Sequence, residues 1–417
     1  MLDEGELARN AVAVLRGNWI REHTVPARTL YPHQWSWDAA FIAVGLAYAD
    51  PERAWADLRS LFSAQWADGR VPHIVFDPDV SERDYFPGPG FWGRQTTGIV
   101  QPPVHARAVW LVHQRHPSPQ RLREFYPKLV HQQEYLARHR DYGGGLVSIV
   151  HPWESGLDNS PAWDDALSAI PADLDMLRQY RRRDIEVAAV SHRPTDRDYA
   201  RYIGLAASYR DVGYQDSAKH PFLVECPAFN TLYADAELAL AEIAEAIGQA
   251  PAPHRQRAHD IQEALLQRLF DSSTGLFYAL DLHSEKRTEA RCISGLLPLL
   301  LPGLPLAIAD GLVRELTSTR FGIPAASYDR TAPDFDTLRY WRGPVWINMN
   351  WLLWRGLKAH GRPELAEQLR MALLTLIAEH GCFEYFAPDT GEGIGGSEFS
   401  WTAALALDLM GGIIAGP

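Results

Sequence analysis

Apolar residues recur at helical spacing along almost the whole chain, and the stretches between them alternate between two kinds of connection. Residues 4–17, 38–49, 51–67, 103–115 and 118–139 read as helices. Further helical patterns lie near 172–183, 195–212, 227–247, 252–270, 288–300, 304–318, 344–360, 363–379 and 399–413. Asp50-Pro51 supplies an N-cap followed by proline at the first helical position, and Gly69 stops the helix that follows. Only 275–280 reads as a strand. Helix is joined to helix by a tight turn, then by a long aromatic loop, then by a turn again. No repeat of roughly 20–50 residues is present, which argues against a solenoid. The pattern fits an all-α toroid of two concentric helix rings, with the loops at one end meeting near the axis. No Pro/Ser-rich linker divides the chain, so residues 1–417 are expected to form one domain.

The long loops share a composition. They are YPHQWSWDAA (31–40), DYFPGPGFW (84–92), TGIVQPP (97–103), WESGLDNSPAW (153–163), YWRGPVW (340–346) and FEYFAPDTGEG (383–393). Most carry Trp or Tyr close to Asp, Glu, Gln or Arg, and many of the fourteen tryptophans fall in these loops rather than in helices. A single Trp is ordinarily a core anchor, but six such loops together are hard to explain by packing alone. A loop as long as 68–102 inside a compact domain is usually functional.

The stretch 151–165, HPWESGLDNSPAWDD, is the centre of this pattern. Gly156, Pro152 and Pro161 break any helix, and Glu154, Asp158, Asp164 and Asp165 stand beside Trp153 and Trp163. Flat aromatic faces stack on a pyranose, and a carboxyl held protonated by partial desolvation can hand a proton to a leaving oxygen. Glu154 and Asp158 both qualify as that acid, and spacing does not choose between them. A second carboxylate must come from elsewhere in the chain. The candidates are Glu384, between Phe383 and Tyr385, together with Glu392 and Glu398.

Composition narrows the partners. A net charge of −12 argues against nucleic acid and against anionic membrane surfaces, both of which require basic patches. Cys226, Cys292 and Cys382 are odd in number and far apart, which suits free thiols in a reducing compartment. The start, MLDEGELARN, lacks the basic and apolar regions of a signal peptide. The most apolar run, 293–309, is interrupted by Pro298, Pro302 and Pro305 and reads as buried helix ends around a turn. None of the sixteen histidines stands at HExxH-like spacing, and no nucleophile elbow, P-loop or dinucleotide fingerprint occurs.

With these residues in view, WESGLDNSPAWD resembles the acid motif of the inverting (α/α)6 glycoside hydrolases of family 63 and the related trehalases. YWRGPVW and FEYFAPDTGEG with SWTAA (400–404) are similar to the second half of that signature. LYPHQWSWDAAF, VPHIVF, YFPGP and TGIVQPPVHA resemble the mannosylglycerate and glucosylglycerate hydrolases of that family. The resemblance runs from about residue 10 to about residue 410. It implies an (α/α)6 barrel with long active-site loops, Asp158 as general acid and Glu384 as general base. It implies further that Trp37, Asp38, Trp341 and Trp346 grip the sugar ring and that Tyr340 lies beside the base. Tyr31, Tyr85 and Gln101 match groups near the glycerate. Arg193 and Tyr199, in HRPTDRDY (192–199), match a mobile loop over the glycerate carboxylate. The sequence departs from that pattern at Glu398 and Phe399, which stand where relatives can carry a glutamine pair.

The expected chemistry is inverting hydrolysis of mannosylglycerate or glucosylglycerate, with two carboxyls about 6.5–9.5 Å apart and one water between. Asp158 protonates the glycosidic oxygen while Glu384 takes a proton from the water. No metal or organic cofactor is called for. The expected partner is a small anionic glycoside, the expected location is cytoplasmic, and a homo-oligomer is left open. The alternatives are another α-glucosidase or trehalase-like hydrolase on the same fold, or a toroid that binds sugar without chemistry.

Overall fold

The computed structural model of the protein describes residues 3–81, 85–178, 182, 185, 189–217 and 219–411. Among these, twelve helices run ten residues or longer. In chain order they are α1 (Glu4–Gly17), α2 (Ser36–Ala49), α3 (Pro51–Ser63), α4 (His105–Arg115), α5 (Pro119–His139) and α6 (Asp196–Asp211). They continue as α7 (Pro227–Ala246), α8 (Ala252–Arg268), α9 (Leu306–Leu316), α10 (Ile347–Ala359), α11 (Pro363–His380) and α12 (Ser400–Leu409).

Their packing forms a closed circuit. α2 packs on α4, α4 on α7, and α7 on the short 3-10 turn Leu297–Leu300; that turn packs on α10, α10 on α12, and α12 again on α2. Against this circuit lie α1 on α12, α3 on α2, α5 on α4 and α7, α8 on α7, α9 on the 3-10 turn, and α11 on α10 and α12. The sequence accounts for which helices go inside. In α2 every residue except Tyr48 and Ala49 is buried, and in α12 every residue except Asp408. A helix apolar on all sides can only sit in a core. α3 instead buries one stripe, Ala54, Trp55, Asp57, Leu58, Leu61 and Phe62, as an outer helix does. Small residues let α2 and α12 approach closely: a Cβ on Gly45 would lie 2.3 Å from the Cα of Ala404.

The helix starts follow their local chemistry. Asp50 caps α3 by accepting from the Arg53 N–H at 3.2 Å, with Pro51 at the first helical position. Strands among the described residues are two residues long and staple loops together, in two-stranded pairs and one four-stranded sheet of Lys286–Arg287, Leu280–Asp281, Val224–Glu225 and Ser148–Ile149. Gln34–Trp35 pairs antiparallel with Ile74–Val75, placing Gln34 opposite Val75 and Trp35 opposite Ile74, and Val75 also bridges to Thr96. Tyr385–Phe386 pairs with Gly393–Ile394, and Phe386 bridges to Val345. The strand expected at 275–280 is the pair Leu276–Phe277 with Phe270–Asp271.

The segment 288–300 is not the helix its periodicity suggests. It is coil followed by two 3-10 turns, Ile293–Gly295 and Leu297–Leu300. Pro298 removes a backbone donor, and Gly295 lies against the Phe277 carbonyl, where a Cβ would come within 2.3 Å. Of the helix expected near 172–183, only Leu174–Leu177 is helical; residues 179–181 and 183 lie outside the described residues, as do Asp84 of the loop at 84–92 and residues 412–413 of the last expected helix. No helix among the described residues is long and apolar enough to cross a membrane.

Candidate active site

The stretch 151–165 builds a rigid turn from its own side chains. His151 Nδ1 accepts from the Trp153 N–H at 3.0 Å, and Pro152 opens a 3-10 turn. Ser155 Oγ donates to the Pro152 carbonyl at 2.6 Å and accepts from the Leu157 N–H at 2.9 Å. Gly156 has φ +71°, and a Cβ there would come within 2.4 Å of the Trp37 indole. Asn159 Oδ1 accepts from the Trp341 N–H at 2.9 Å, and Trp163 Nε1 donates to the Leu157 carbonyl at 2.8 Å. The turn is thereby locked to the start of α2 and to the 340–346 loop.

The two acid candidates of this turn separate completely. Glu154 is fully buried, and each of its oxygens accepts from one Arg140 Nη at 2.7 Å. The same oxygens take the backbone N–H groups of Val100, at 3.1 Å, and Val150, at 2.7 Å. All its acceptor capacity is spent on structure. Asp158 instead lines a pocket of about 850 Å³, its open mouth included. Glu384 lines the same pocket. Glu392 and Glu398 are exposed and do not line it.

Every other residue to which the resemblance gives a role also lines this pocket: Tyr31, Trp37, Asp38, Tyr85, Gln101, Arg193, Tyr199, Tyr340, Trp341 and Trp346, whereas Trp163, Asp164 and Asp165 of the 151–165 stretch do not. Trp341 and Trp346 stack with centroids 3.8 Å apart and planes 4° from parallel, and Trp346 stacks in turn on Tyr385 at 4.8 Å. Asp38 sits in the first turn of α2, 3 % exposed. Burial pushes its carboxyl well above the usual range; its backbone N–H opposes this, while the charges of Glu384 and Asp158 add to it. Gln101 caps the same helix end, its Oε1 accepting from the Trp37 N–H at 3.0 Å. Tyr85 packs edge-on against His33 at 4.5 Å, and Tyr199 edge-on against Trp153 at 6.0 Å.

Glu384 is held by a hairpin. Its N–H donates to the Gly396 carbonyl at 2.9 Å, and the Gly396 N–H returns to Oε2 at 3.1 Å. Gly395 has φ +78°, and a Cβ there would sit 2.2 Å from Oε2. The Tyr31 hydroxyl donates to Oε1 at 2.7 Å and the Tyr340 hydroxyl at 3.3 Å. Arg193 Nη2 donates to Oε2 at 3.0 Å, and the guanidinium lies over the Tyr340 ring at 4.6 Å. Two residues beyond Arg193, Thr195 and Asp198 form a reciprocal capping box that starts α6, and Arg182 donates to the Pro194 carbonyl at 2.9 Å.

His73 also lines the pocket, although its place in the sequence assigns it no role. It packs edge-on against Trp35 at 4.6 Å, and its Nδ1 is buried without a hydrogen-bond partner. Burial, reinforced by His151, pushes its ring well below the ordinary histidine value, so it is a neutral polar group facing the site. The only sequence signal is a histidine inside the apolar run VPHIVF, which reads equally well as a core position.

Among the described residues no group of three or more His, Cys, Asp or Glu could hold a metal ion. Among the described residues the pocket combines carboxyls, phenols, the Arg193 guanidinium and stacked indoles, a set suited to gripping a sugar and moving protons. Comparison with known proteins agrees. Residues 31–402 match the family model described as the mannosylglycerate hydrolase MGH1-like glycoside hydrolase domain. The chain is 39% identical to the mannosylglycerate hydrolase of Rubrobacter radiotolerans, over 97% of this chain and 97% of that protein. It is 36% identical to the glucosylglycerate hydrolase of Mycolicibacterium hassiacum, over 97% of this chain and 98% of that protein. It superimposes with a TM-score of 0.91 on the crystal structure of the GH63 mannosylglycerate hydrolase from Thermus thermophilus in complex with Tris and D-glycerate, at 40% identity, covering 96% of this chain and 99% of that one. The chain is a glycoside hydrolase and belongs to the mannosylglycerate hydrolase MGH1-like family.

Proposed function

We propose that this enzyme hydrolyses the α-glycosidic bond of mannosylglycerate or glucosylglycerate with inversion, releasing the hexose and glycerate. The observation that carries the reading is that Asp158 and Glu384, from loops 226 positions apart in sequence (384 − 158), line one pocket with the stacked Trp341 and Trp346. In this reading Asp158 protonates the departing glycosidic oxygen as its bond to the anomeric carbon breaks. Glu384 takes a proton from the attacking water. Trp37, Asp38, Trp341 and Trp346 hold the sugar; Tyr31, Tyr85, Gln101, Arg193 and Tyr199 serve the glycerate side, and Tyr340 steadies the base. An anionic leaving group needs a cationic partner in a buried pocket, and Arg193, 2 % exposed, is the guanidinium that lines it.

The scaffold is, in the same reading, an (α/α)6 toroid formed as one domain. The closed circuit through α2, α4, α7, the 297–300 turn, α10 and α12 would be the inner ring. The helices packed against it would be the outer one. Burial of Cys226, Cys292 and Cys382 as free thiols, each pushed up to about 12, fits a reducing cytoplasmic location.

The test is a product assay with mannosylglycerate, glucosylglycerate, trehalose and kojibiose, read by proton NMR during the first minutes. The expected result is turnover of the glycerate glycosides alone, with the β-anomer of the hexose appearing first. Initial release of the α-anomer would remove the inverting assignment. Turnover of trehalose or kojibiose alone would move the enzyme to the neutral disaccharides.

A further inference from the structure

Glu384 can accept four hydrogen bonds, two on each oxygen, and four donors are already in place: the hydroxyls of Tyr31 and Tyr340, the Gly396 N–H and Arg193 Nη2. A carboxylate so saturated has no lone pair left for an attacking water. One donor must leave before it can act as a base. The Gly396 N–H cannot, because the hairpin that carries it also binds the Glu384 backbone. The Tyr340 ring is wedged between Trp346 at 5.1 Å and Tyr385 at 5.5 Å, so its oxygen stays where it is. Tyr31 is packed edge-on by Trp35 at 5.2 Å and Phe399 at 5.9 Å. Arg193 is the donor with a reason to move. Among the described residues its Nη1 reaches the Tyr31 hydroxyl alone, at 3.3 Å, and its buried Nε–H meets no acceptor. A buried donor left unmet is unfavourable, and a carboxylate approaching the Nε edge would satisfy it in two-pronged geometry.

We infer that Arg193 withholds the base: seated on Glu384 it keeps water off the carboxylate, and a carboxylate on the leaving group draws the guanidinium away and frees Glu384 to act. This rests on the hydrolase reading above and adds a selectivity to it. The substrate class is glycosides whose aglycone carries a carboxylate, and they are chosen in the chemical step as well as in binding. A neutral glycoside of the same sugar would enter the pocket and find the base occupied. Arg193 is in this respect a positioning residue, acting on the reaction through Glu384.

Glycosyl fluorides isolate the effect, because fluoride leaves without a proton from Asp158. Water attacks the anomeric carbon, the C–F bond breaks with its electrons on fluoride, and the water proton goes to Glu384. With α-mannosyl or α-glucosyl fluoride the wild-type enzyme should be slow. Added D-glycerate should raise kcat by about tenfold or more, within the range a general base contributes. Glycerol, which lacks the carboxylate, should not. Arg193→Ala should hydrolyse the fluoride faster than wild type without glycerate, ignore added glycerate, and lose affinity for the glycerate glycoside while keeping its kcat. Inhibition of wild type by glycerate with no acceleration at any concentration would overturn the inference, and that arm requires no variant. An Arg193→Ala enzyme no faster than wild type on the fluoride would also overturn it. If the wild-type enzyme cleaves the glycerate glycoside while glycerate leaves the fluoride rate unchanged, the hydrolase reading stands and only the withholding role falls. If it cleaves neither, the hydrolase reading falls and this inference with it.

Discussion

Glu154 and Arg140 form a two-pronged ion pair, both contacts at 2.7 Å, with neither side chain exposed to solvent. The pair ties three pieces of chain together. Glu154 belongs to the acid turn, its oxygens hold the N–H groups of Val100 and Val150, and Arg140 ends α5 and also binds Asp216 at 2.7 Å through Nε. Val100 is the neighbour of Gln101, which caps α2 below Trp37. The pair is thus a strut under the pocket, and removing the Glu154 charge leaves the buried Arg140 guanidinium with Asp216 in place of two carboxylates. Glu154→Gln is expected to destabilise the fold by about 3–5 kcal/mol. A urea midpoint unchanged from wild type would show that the strut carries no stability.

The proposed acid and base should fail in different ways. Asp158→Asn and Glu384→Gln are each expected to lower kcat on the glycerate glycosides by about 10²–10⁴-fold; Glu384→Gln, which leaves the buried Arg193 without its counter-charge, should also lower the thermal midpoint, so its kcat is read below that midpoint. On a glycosyl fluoride only the base is needed. With D-glycerate added to free Glu384, Asp158→Asn should therefore keep most of the wild-type fluoride activity, whereas Glu384→Gln should lose it. Equal losses on the fluoride would mean that Asp158 does more than donate a proton.

Gly45 marks a close crossing of α2 and α12 in the circuit of packed helices. A methyl group there would meet the backbone of Ala404, at 2.3 Å from Cα and 2.4 Å from the carbonyl oxygen, so α2 and α12 would have to part. α2 carries Asp38 and α12 carries Trp401, both of which line the pocket. Gly45→Ala is expected to cost about 1–3 kcal/mol or more and to raise KM for the glycoside. A normal thermal midpoint together with normal KM would show that the crossing has slack.

Acid should unfold the protein before its carboxylates titrate. Burial pushes the imidazoles of His33, His105, His151 and His220 down to about 4. An unfolded chain takes up those protons near pH 6.5, but the folded one refuses them until about pH 4. Stability is therefore fully present above pH 6.5 and declines as pH falls toward 4. Asp57, pushed up to about 7 by burial, works in the opposite sense, as do Asp38, Asp164 and Glu225, whose carboxyls burial also raises; His23, His73 and His113, lowered by burial, act with the four imidazoles. The urea midpoint is expected to fall steadily between pH 7 and pH 4.5, by several kcal/mol in free energy. His105→Gln should make that decline shallower. A flat profile in the wild type would mean that the imidazoles protonate in place.

The helices and the chemistry were legible in the chain itself because both rest on local patterns. The stripe of α3, the Asp50-Pro51 start and the all-apolar run of α2 follow from spacing within a few residues. The tryptophan-rich loops likewise announced a sugar site, and the family motifs named Asp158 and Glu384. What spacing could not do was separate Glu154 from Asp158. Four residues apart on one turn, they are alike in chemistry, and only Arg140 and the Val100 and Val150 amides, delivered by distant parts of the fold, turned Glu154 into structure. The same holds for the 297–300 turn, whose periodicity is helical but whose place in the circuit of packed elements was set by Pro298 and by the contact of Gly295 with Phe277. His73 and the grip of Arg193 on Glu384 lie further still from local pattern. A side chain's partner across 191 positions is chosen by packing, which no window of neighbouring residues records.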